Sequence, residues 1–331
     1  MAAASIRDVA RAAGVSVGTV SNVLNRPDEV SAESVARVKQ AIEELGYRRN
    51  DAARQLRAGT SSTVGFVVLD GQNPFFADVV RGAEDEASRN GIAILVGNTD
   101  EETEREARYL DLFEEQRVRG VLVSPYKDIN PRLLRLRERE IPAVLVDRFS
   151  GDGRFSSVSV DNVAGGRMAA EHLIGTGRRR IVYVGGPFEL RQVTDRLAGA
   201  RVAAEEASGV EIEVLPTEAL TVEQGIAAGQ RITERRTRPD AVFAANDLLA
   251  LGLLQAFVGA GVRVPHDVAL IGFDDISFAG AAAVPLSSMR QPSRMIGQTA
   301  LRILLEEAAD PALIPRQTVF QPELVVRAST A

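Results

Sequence analysis

Cysteine and tryptophan are both missing from this 331-residue chain, and histidine occurs twice. Without cysteine there are no disulfides and no thiolate zinc sites, a composition that fits a reducing cytoplasm. The histidines, His172 and His266, lie far apart, and neither sits in a metal-ligand pattern. No metal and no cofactor is expected. Lysine is nearly absent, with Lys39 and Lys127 as its two examples, and no phosphate-loop lysine is found. Nothing in this inventory supports an enzyme. No apolar run reaches the roughly 18 residues a membrane span needs. The N-terminus, Met1 to Asp8, lacks a basic stretch followed by an apolar one, so a secretory signal is not expected and the chain is read as cytoplasmic.

What is present is apolar material, 45% of residues, enough for sizeable cores, and a length that suits two or three domains. The net charge of −6 is uneven. Residues 1–60 hold nine Arg/Lys against seven Asp/Glu, and the remainder holds 30 against 38. A mildly basic head on an acidic body suits a nucleic-acid reader joined to a domain that does not bind nucleic acid. Chance surface variation explains so small an excess equally well.

The head reads as helical. Ile6, Val9, Ala10 and Ala13 share one face at helical spacing, with Ser5 as N-cap and Gly14 as stop. A second short helix runs from Ser16 to Asn25, with Val20, Val23 and Leu24 inward. Pro27 and Asp28 make a turn, and a third helix runs from Ser31 to Leu45, closed by Gly46. A further short helix fits Arg48 to Leu56, before a flexible joint at Gly59-Thr60-Ser61-Ser62. The rhythm then changes. Strand-like runs recur at Val64–Leu69, Ile92–Val96, Gly120–Ser124, Ala143–Val146, Ser157–Val160, Ile181–Val184, Ile212–Leu215, Ala241–Ala244 and Val268–Phe273, mostly separated by helical patterns. Continuous apolar strands alternating with helices imply parallel sheets covered on both faces. So many units exceed one doubly wound sheet. The expected fold class is a small all-α helix-turn-helix head plus an α/β body of two Rossmann-like lobes with a cleft between them.

Residues 5–25 carry the chemistry of the head. Two short helices meet at a tight Gly14-Val15 turn, Ala10 is small where they approach, and Val9, Val15, Val20 and Leu24 make a miniature core. The second helix is then free to enter a DNA major groove. The stretch Asp8-Val-Ala-Arg-Ala-Ala-Gly-Val-Ser, followed by Thr19-Val-Ser-Asn-Val-Leu-Asn, resembles the head motif of the lactose-repressor (LacI/GalR) family almost letter for letter. The resemblance implies base reading at Val17, Gly18 and Asn22, in double-stranded operator DNA. Asn22 can pair bidentately with adenine, and Val17 can touch a thymine methyl. Ser16, Thr19 and Ser21 suit phosphate oxygens, which position without specifying. Ser16 serves as N-cap, phosphate contact or both. Ser5 and Asn25 complete the expected DNA-contact set in the head.

Tyr47-Arg-Arg-Asn-Asp-Ala-Ala-Arg-Gln-Leu-Arg resembles the family's hinge helix. In the family, paired hinge helices enter the minor groove and a leucine opens a base step. Leu56 stands at that position, Ala53 one turn earlier, and Asn50 and Arg54 beside them. Unstacking costs a few kcal/mol per step and is offset by the contacts of the bent duplex. A helix this short is marginal alone and should order on DNA or against its twin.

The resemblance continues through Asn73-Pro-Phe-Phe, Val160-Asp-Asn-Val-Ala-Gly-Gly, Arg196-Leu-Ala-Gly, Pro239-Asp-Ala-Val-Phe-Ala-Ala-Asn-Asp and Val268-Ala-Leu-Ile-Gly-Phe-Asp-Asp. It implies a periplasmic-binding-protein-like sensor with crossovers near Asp161, Gln291 and Gln321. The domains expected are a head over 1–47, a hinge over 48–61 and a sensor over 62–331. The N-lobe takes about 62–160 and 292–320, the C-lobe about 161–290 and 321–331. Asp70, Ser124, Asp147 with Arg148, Asp161, Asn246 with Asp247, and Asp274 with Asp275 all fall at carboxyl ends of expected strands. By the resemblance, effector contacts map onto Phe75, Phe76, Ser124, Asp147, Arg196, Asn246 and Asp274. Carboxylates, an amide and a guanidinium suit a ligand with many hydroxyls, a sugar. Asp161 and Asp247 also read as helix N-caps, Asp275 as a solvated turn residue, and one of Phe75 and Phe76 as core or dimer interface. Purine-sensing relatives use an aromatic from the second lobe, where Leu220 stands here. A homodimer is implied, through Pro74 to Arg89 and Phe278 to Ala283. A solute-binding protein without DNA function and a regulator answering to a phosphocarrier protein are the remaining alternatives.

Overall fold

The computed structural model describes residues 4–47, 61–127, 131–151 and 153–331. Contacts divide the chain into two units, one up to Thr60 and one from Ser61.

In the first unit, α1 (Ile6–Ala13), α2 (Val17–Asn25) and α3 (Ala32–Glu44) enclose a core of Val9, Ala10, Ala13, Val20, Val23, Val38 and Ala41. Val15 and Leu24 pack against it half-buried. Local chemistry sets each helix start. Ser5 and Asp8 form a reciprocal capping box on α1, Ser16 accepts from the Thr19 N–H on α2, and Ser31 accepts from the Ser34 N–H on α3. Gly14 ends α1 in the left-handed region, φ 63°, which a side chain disfavours.

The second unit is built on two six-stranded sheets. The strands of the first are β1 (Thr63–Val68), β2 (Ala93–Asn98), β3 (Val121–Val123), β4 (Ala143–Val146), β5 (Ser156–Val160) and β11 (Gln317–Phe320), in the order β11-β5-β4-β3-β1-β2. Those of the second are β6 (Arg180–Gly185), β7 (Glu211–Pro216), β8 (Ala241–Ala244), β9 (Ala269–Asp274), β10 (Ser287–Arg290) and β12 (Glu323–Val325), in the order β12-β10-β9-β8-β6-β7. All pairings are parallel except β10 with β12. Both sheets are doubly wound: the chain enters at the strand next to one edge, adds that edge strand, then returns and winds across to the other side. The helices are α4 (Pro74–Arg89), α5 (Thr103–Glu115), α6 (Pro131–Glu138), α7 (Asn162–Gly175), α8 (Arg191–Glu206), α9 (Val222–Thr233), α10 (Asp247–Gly259), α11 (Ser277–Ala281) and α12 (Ser293–Ala309). The chain passes from the first sheet to the second after Val160, returns after Arg290, and passes again between Phe320 and Glu323.

All nine apolar runs become strands. The sheets also take in β10, β11 and β12, which lack a long apolar run. Ser287-Ser288-Met289-Arg290 is a strand because β9 and β12 supply its ladder partners, not because of its own pattern. Among the described residues, no helix is long and apolar enough to cross a membrane. Asn50, Ala53, Arg54 and Leu56 lie outside the described residues.

Candidate DNA interface and effector cleft

On α2 the buried side is Val20 and Val23, and the opposite side leaves Ser16, Val17, Gly18 and Asn22 exposed. Asn22 is exposed on the side of α2 opposite the core of this unit. Asn25 is turned inward on its own helix: its Nδ2 donates to the Ser21 carbonyl at 2.8 Å and approaches Ser21 Oγ at 3.3 Å. Ser16 Oγ accepts from the Thr19 N–H at 3.0 Å and lies 2.9 Å from Thr19 Oγ1. Ser16 is therefore an N-cap whose hydroxyl remains on the surface. Gly14-Val-Ser-Val-Gly18 fits the letters of a hydrolase nucleophile elbow, but it joins two helices, whereas that motif joins a strand to a helix.

The second unit gathers its polar groups where the carboxyl ends of the two sheets meet. Arg196, on the first turns of α8, is buried at 3% exposure. Its Nε donates to Asn162 Oδ1 at 2.8 Å and its Nη1 to the Ala245 carbonyl at 2.6 Å. Its guanidinium carbon sits 3.6 Å from the centre of the Phe273 ring, and Nη2 lies 3.7 Å from Asp274 Oδ1. Close helix packing makes this placement possible. A Cβ on Gly166 of α7 would lie 1.9 Å from the Arg196 carbonyl oxygen, and one on Gly199 of α8 would lie 1.9 Å from the Val163 carbonyl oxygen. Only glycine lets the two backbones touch there.

Asp274 ends β9 with φ 108°, in the positive region, and its carboxylate accepts from two amides. Gln291 Nε2 donates to Oδ1 at 2.7 Å and Asn73 Nδ2 to Oδ2 at 3.3 Å. The Asn73 bond crosses from one lobe to the other. A second crossing lies at Asp147, just past β4, also at positive φ, 55°. Gln192 Nε2, on α8, donates to the Asp147 carbonyl at 3.0 Å and to its Oδ2 at 2.7 Å. Burial pushes the Asp147 carboxyl up to about 6, with Arg196 and Gln192 pulling the other way. Burial likewise raises Asp274, opposed by Arg196. Three buried atoms in this region have no partner: Asp147 Oδ1, Ser124 Oγ and Gln291 Oε1. Buried polar atoms without partners are costly, so each of these needs a bonding partner that the described residues do not supply.

The structure thus brings Asp147, Arg196 and Asp274 together and puts Ser124 and Asn246 at neighbouring strand ends. Asn246 is committed internally: its Oδ1 caps α10 at the Leu249 N–H, 2.9 Å, and its Nδ2 donates to the Leu220 carbonyl at 3.1 Å. Asp161 is the N-cap of α7, accepting from the Ala164 N–H. Asp247 is not a cap, since its neighbour Asn246 holds that role. Asp247 is fully buried and accepts from the Ile276 N–H and Ser288 Oγ, which ties the start of α10 to the segment after β9 and to β10. Asp275 is not a solvated turn residue. Its carboxylate is buried between Arg290 and Arg327, each at 2.7 Å. Phe75 and Phe76 are both buried and meet edge to face, with ring centres 5.1 Å apart. Phe76 also borders an outer groove of about 300 Å³ with Val80 and Val96. The amides Asn73, Asn162, Gln192 and Gln291 were missed by sequence reasoning. Asn73 and Asn162 lay in motifs that carry the resemblance, Gln291 at an expected crossover, and Gln192 one helical turn before Arg196 on the same face.

A helix-turn-helix unit and a two-lobed α/β unit with a polar cleft, in one chain, define a DNA-binding regulator that answers to a small molecule. Residues 5–50 match the model of bacterial regulatory proteins of the lacI family, and residues 170–330 match that of a periplasmic binding protein-like domain. The chain is 35% identical over 332 residues to the HTH-type transcriptional repressor PurR of Photobacterium profundum, covering 98% of both chains. To the ribose operon repressor of Escherichia coli K12 it is 33% identical, covering 98% of this chain and 99% of that one. The lac repressor dimer bound to operator and the anti-inducer ONPF superposes with a TM-score of 0.86 at 26% identity, over 99% of both chains. The chain belongs to the lacI family of bacterial regulatory proteins.

Proposed function

We propose that the protein is a transcriptional repressor that grips a palindromic operator as a homodimer and adjusts that grip when a sugar binds between its lobes. The observation that carries the effector part is the buried Asp147–Arg196–Asp274 group with three unpartnered polar atoms around it. In this reading residues 1–47 read the duplex, 48–61 form the hinge, and 62–331 sense and dimerise. The exposed amide of Asn22 reads a base, with Val17 and Gly18 beside it. Ser5, Ser16, Thr19, Ser21 and Asn25 order the helices and meet the backbone, and Asn50, Ala53, Arg54 and Leu56 act in the minor groove. One such head buries little DNA, and two on a palindrome overcome this.

Ligand bound beside Asp147 and Ser124 of one lobe and Asp274 of the other, with Arg196 and Asn246 held by the protein behind them, bridges the lobes and biases their spacing. It shifts the balance only by its differential affinity for the two arrangements. A cytoplasmic location and the absence of catalytic turnover belong to the same reading.

The test is a thermal-shift screen of the full-length protein against sugars and nucleobases, then a gel shift on the sequence upstream of its own gene. A ligand at a hundred times its Kd should stabilise the fold by about 2.7 kcal/mol. It should also change the affinity for DNA. A protein that ignored every duplex, with and without the screened metabolites, would refute the proposal.

A further inference from the structure

We infer that the cleft selects an uncharged, donor-rich ligand and turns away phosphate esters, so that the effector is the free sugar and not its phosphorylated form. The inference rests on the effector reading given above and narrows it. The signal is then the substrate of a phosphoryl-transfer reaction, before the step that consumes it.

The argument is an inventory of donors and acceptors. An anion needs a spare cation. Arg196, the guanidinium buried at the lobe junction, has its Nε and Nη1 on Asn162 and Ala245 and its Nη2 towards Asp274. Its charge is already answered by a carboxylate that is itself buried. Arg148, next along the chain, acts electrostatically on Asp147. The atoms left over are of the opposite kind. Asp147 Oδ1 and Gln291 Oε1 are pure acceptors, and Ser124 Oγ is a hydroxyl. Gln192 occupies Asp147 Oδ2, so a single carboxylate oxygen is offered to a ligand. Acceptors call for O–H or N–H groups, which a polyol supplies at every carbon.

A phosphate ester supplies acceptors and close to two negative charges. Set about 4 Å from a buried carboxylate, each such charge weakens binding by a factor of about a hundred or more. Carboxyls also stand at the rim. Asp70 and Glu101 follow the ends of the first sheet's strands; burial raises both, with Asp100 adding repulsion on Asp70, and Asp70 and Asp100 adding it on Glu101, which is pushed up to about 7. From the other lobe Glu189 joins Glu101 in acting on Tyr126. The buried carboxylate that offers its free oxygen to a ligand therefore repels an anion.

The experiment uses the full-length protein and matched pairs: ribose and ribose 5-phosphate, glucose and glucose 6-phosphate, fructose and fructose 1-phosphate. Thermal shift finds the active pair and calorimetry measures both members. The expected result is binding of a free sugar with its ester at least a hundredfold weaker. An ester that binds as well as its sugar, or better, overturns the inference and leaves a sugar-type effector standing. If neither member of any pair binds, the sugar reading of the cleft falls, and this inference with it. Asp147→Asn is the second arm, its fold checked by circular dichroism. It should weaken the active sugar at least tenfold and shrink the gap between sugar and ester to below tenfold. An unchanged gap would remove Asp147 from the explanation.

Discussion

Replacing Asp147 by asparagine should make the folded protein more stable at neutral pH, and much less so in acid. The side chain is 4% exposed, and burial raises its pKa from 3.8 to about 6 despite Arg196 and Gln192. A carboxyl whose pKa is higher in the folded state than in the unfolded chain binds its proton more tightly when folded. Its ionised form therefore costs stability, fully so above pH 6, and the cost fades as pH falls through 6 towards 4. With 1.36 kcal/mol per tenfold, the penalty is about 3 kcal/mol at pH 7.5 and roughly half of that at pH 5. Asparagine keeps the shape, can accept from Gln192 with its oxygen, and carries no charge. Urea unfolding of wild type and variant, followed by far-ultraviolet circular dichroism because the chain lacks tryptophan, should show a variant advantage that roughly halves between those two pH values. A variant no more stable than wild type at pH 7.5, or an advantage independent of pH, would refute the reasoning. If the advantage appears, Asp147 is a group held at the expense of stability, as expected for a binding residue.

Asn22→Ala should cost specific operator affinity about 1–3 kcal/mol while leaving binding to unrelated duplex unchanged, as competition gel shifts would show. Leu56→Gly should weaken operator binding and leave effector affinity unaltered in calorimetry; loss of both would place the residue in the sensor's fold instead. Gly166→Ala forces a methyl group to within 1.9 Å of the Arg196 carbonyl oxygen, so α7 and α8 must separate. The expected cost is roughly 1–3 kcal/mol in chemical denaturation, with weaker effector binding because Arg196 moves.

Much of the architecture was legible in the chain because it is written locally. Ser5, Ser16 and Ser31 cap their helices where a capping residue precedes an apolar face, and Gly14 stops α1 where the backbone turns left-handed. These interactions span at most a few residues, so spacing reveals them. The runs that became β1, β3, β4, β8 and β9 were legible for a similar reason, since a strand buried on both faces is apolar almost throughout, whereas β2 and β7 lie at sheet edges and are largely exposed. Family resemblance then pointed to Asp147, Arg196 and Asp274, which the fold does gather.

Other assignments depended on neighbours far away in the chain. Asn246 and Asp247 are adjacent, and either could cap a helix. Asn246 does, because Asp247 is drawn to Ser288 Oγ and the Ile276 N–H across the sheet. Asp275 reads as a turn residue until Arg290 and Arg327 are brought against it. Gln192 is an unremarked helix residue until lobe packing places it on Asp147, 45 positions earlier. Sequence alone determined the helix-turn-helix, the alternation of strand and helix, and the kinds of group at the strand ends, since each follows from propensity and periodicity over a single element. Tertiary structure alone decided which of those groups are already spent on one another and which are left without a partner. Hydrogen-bond satisfaction is a property of what surrounds an atom in space, and position along the chain does not encode it.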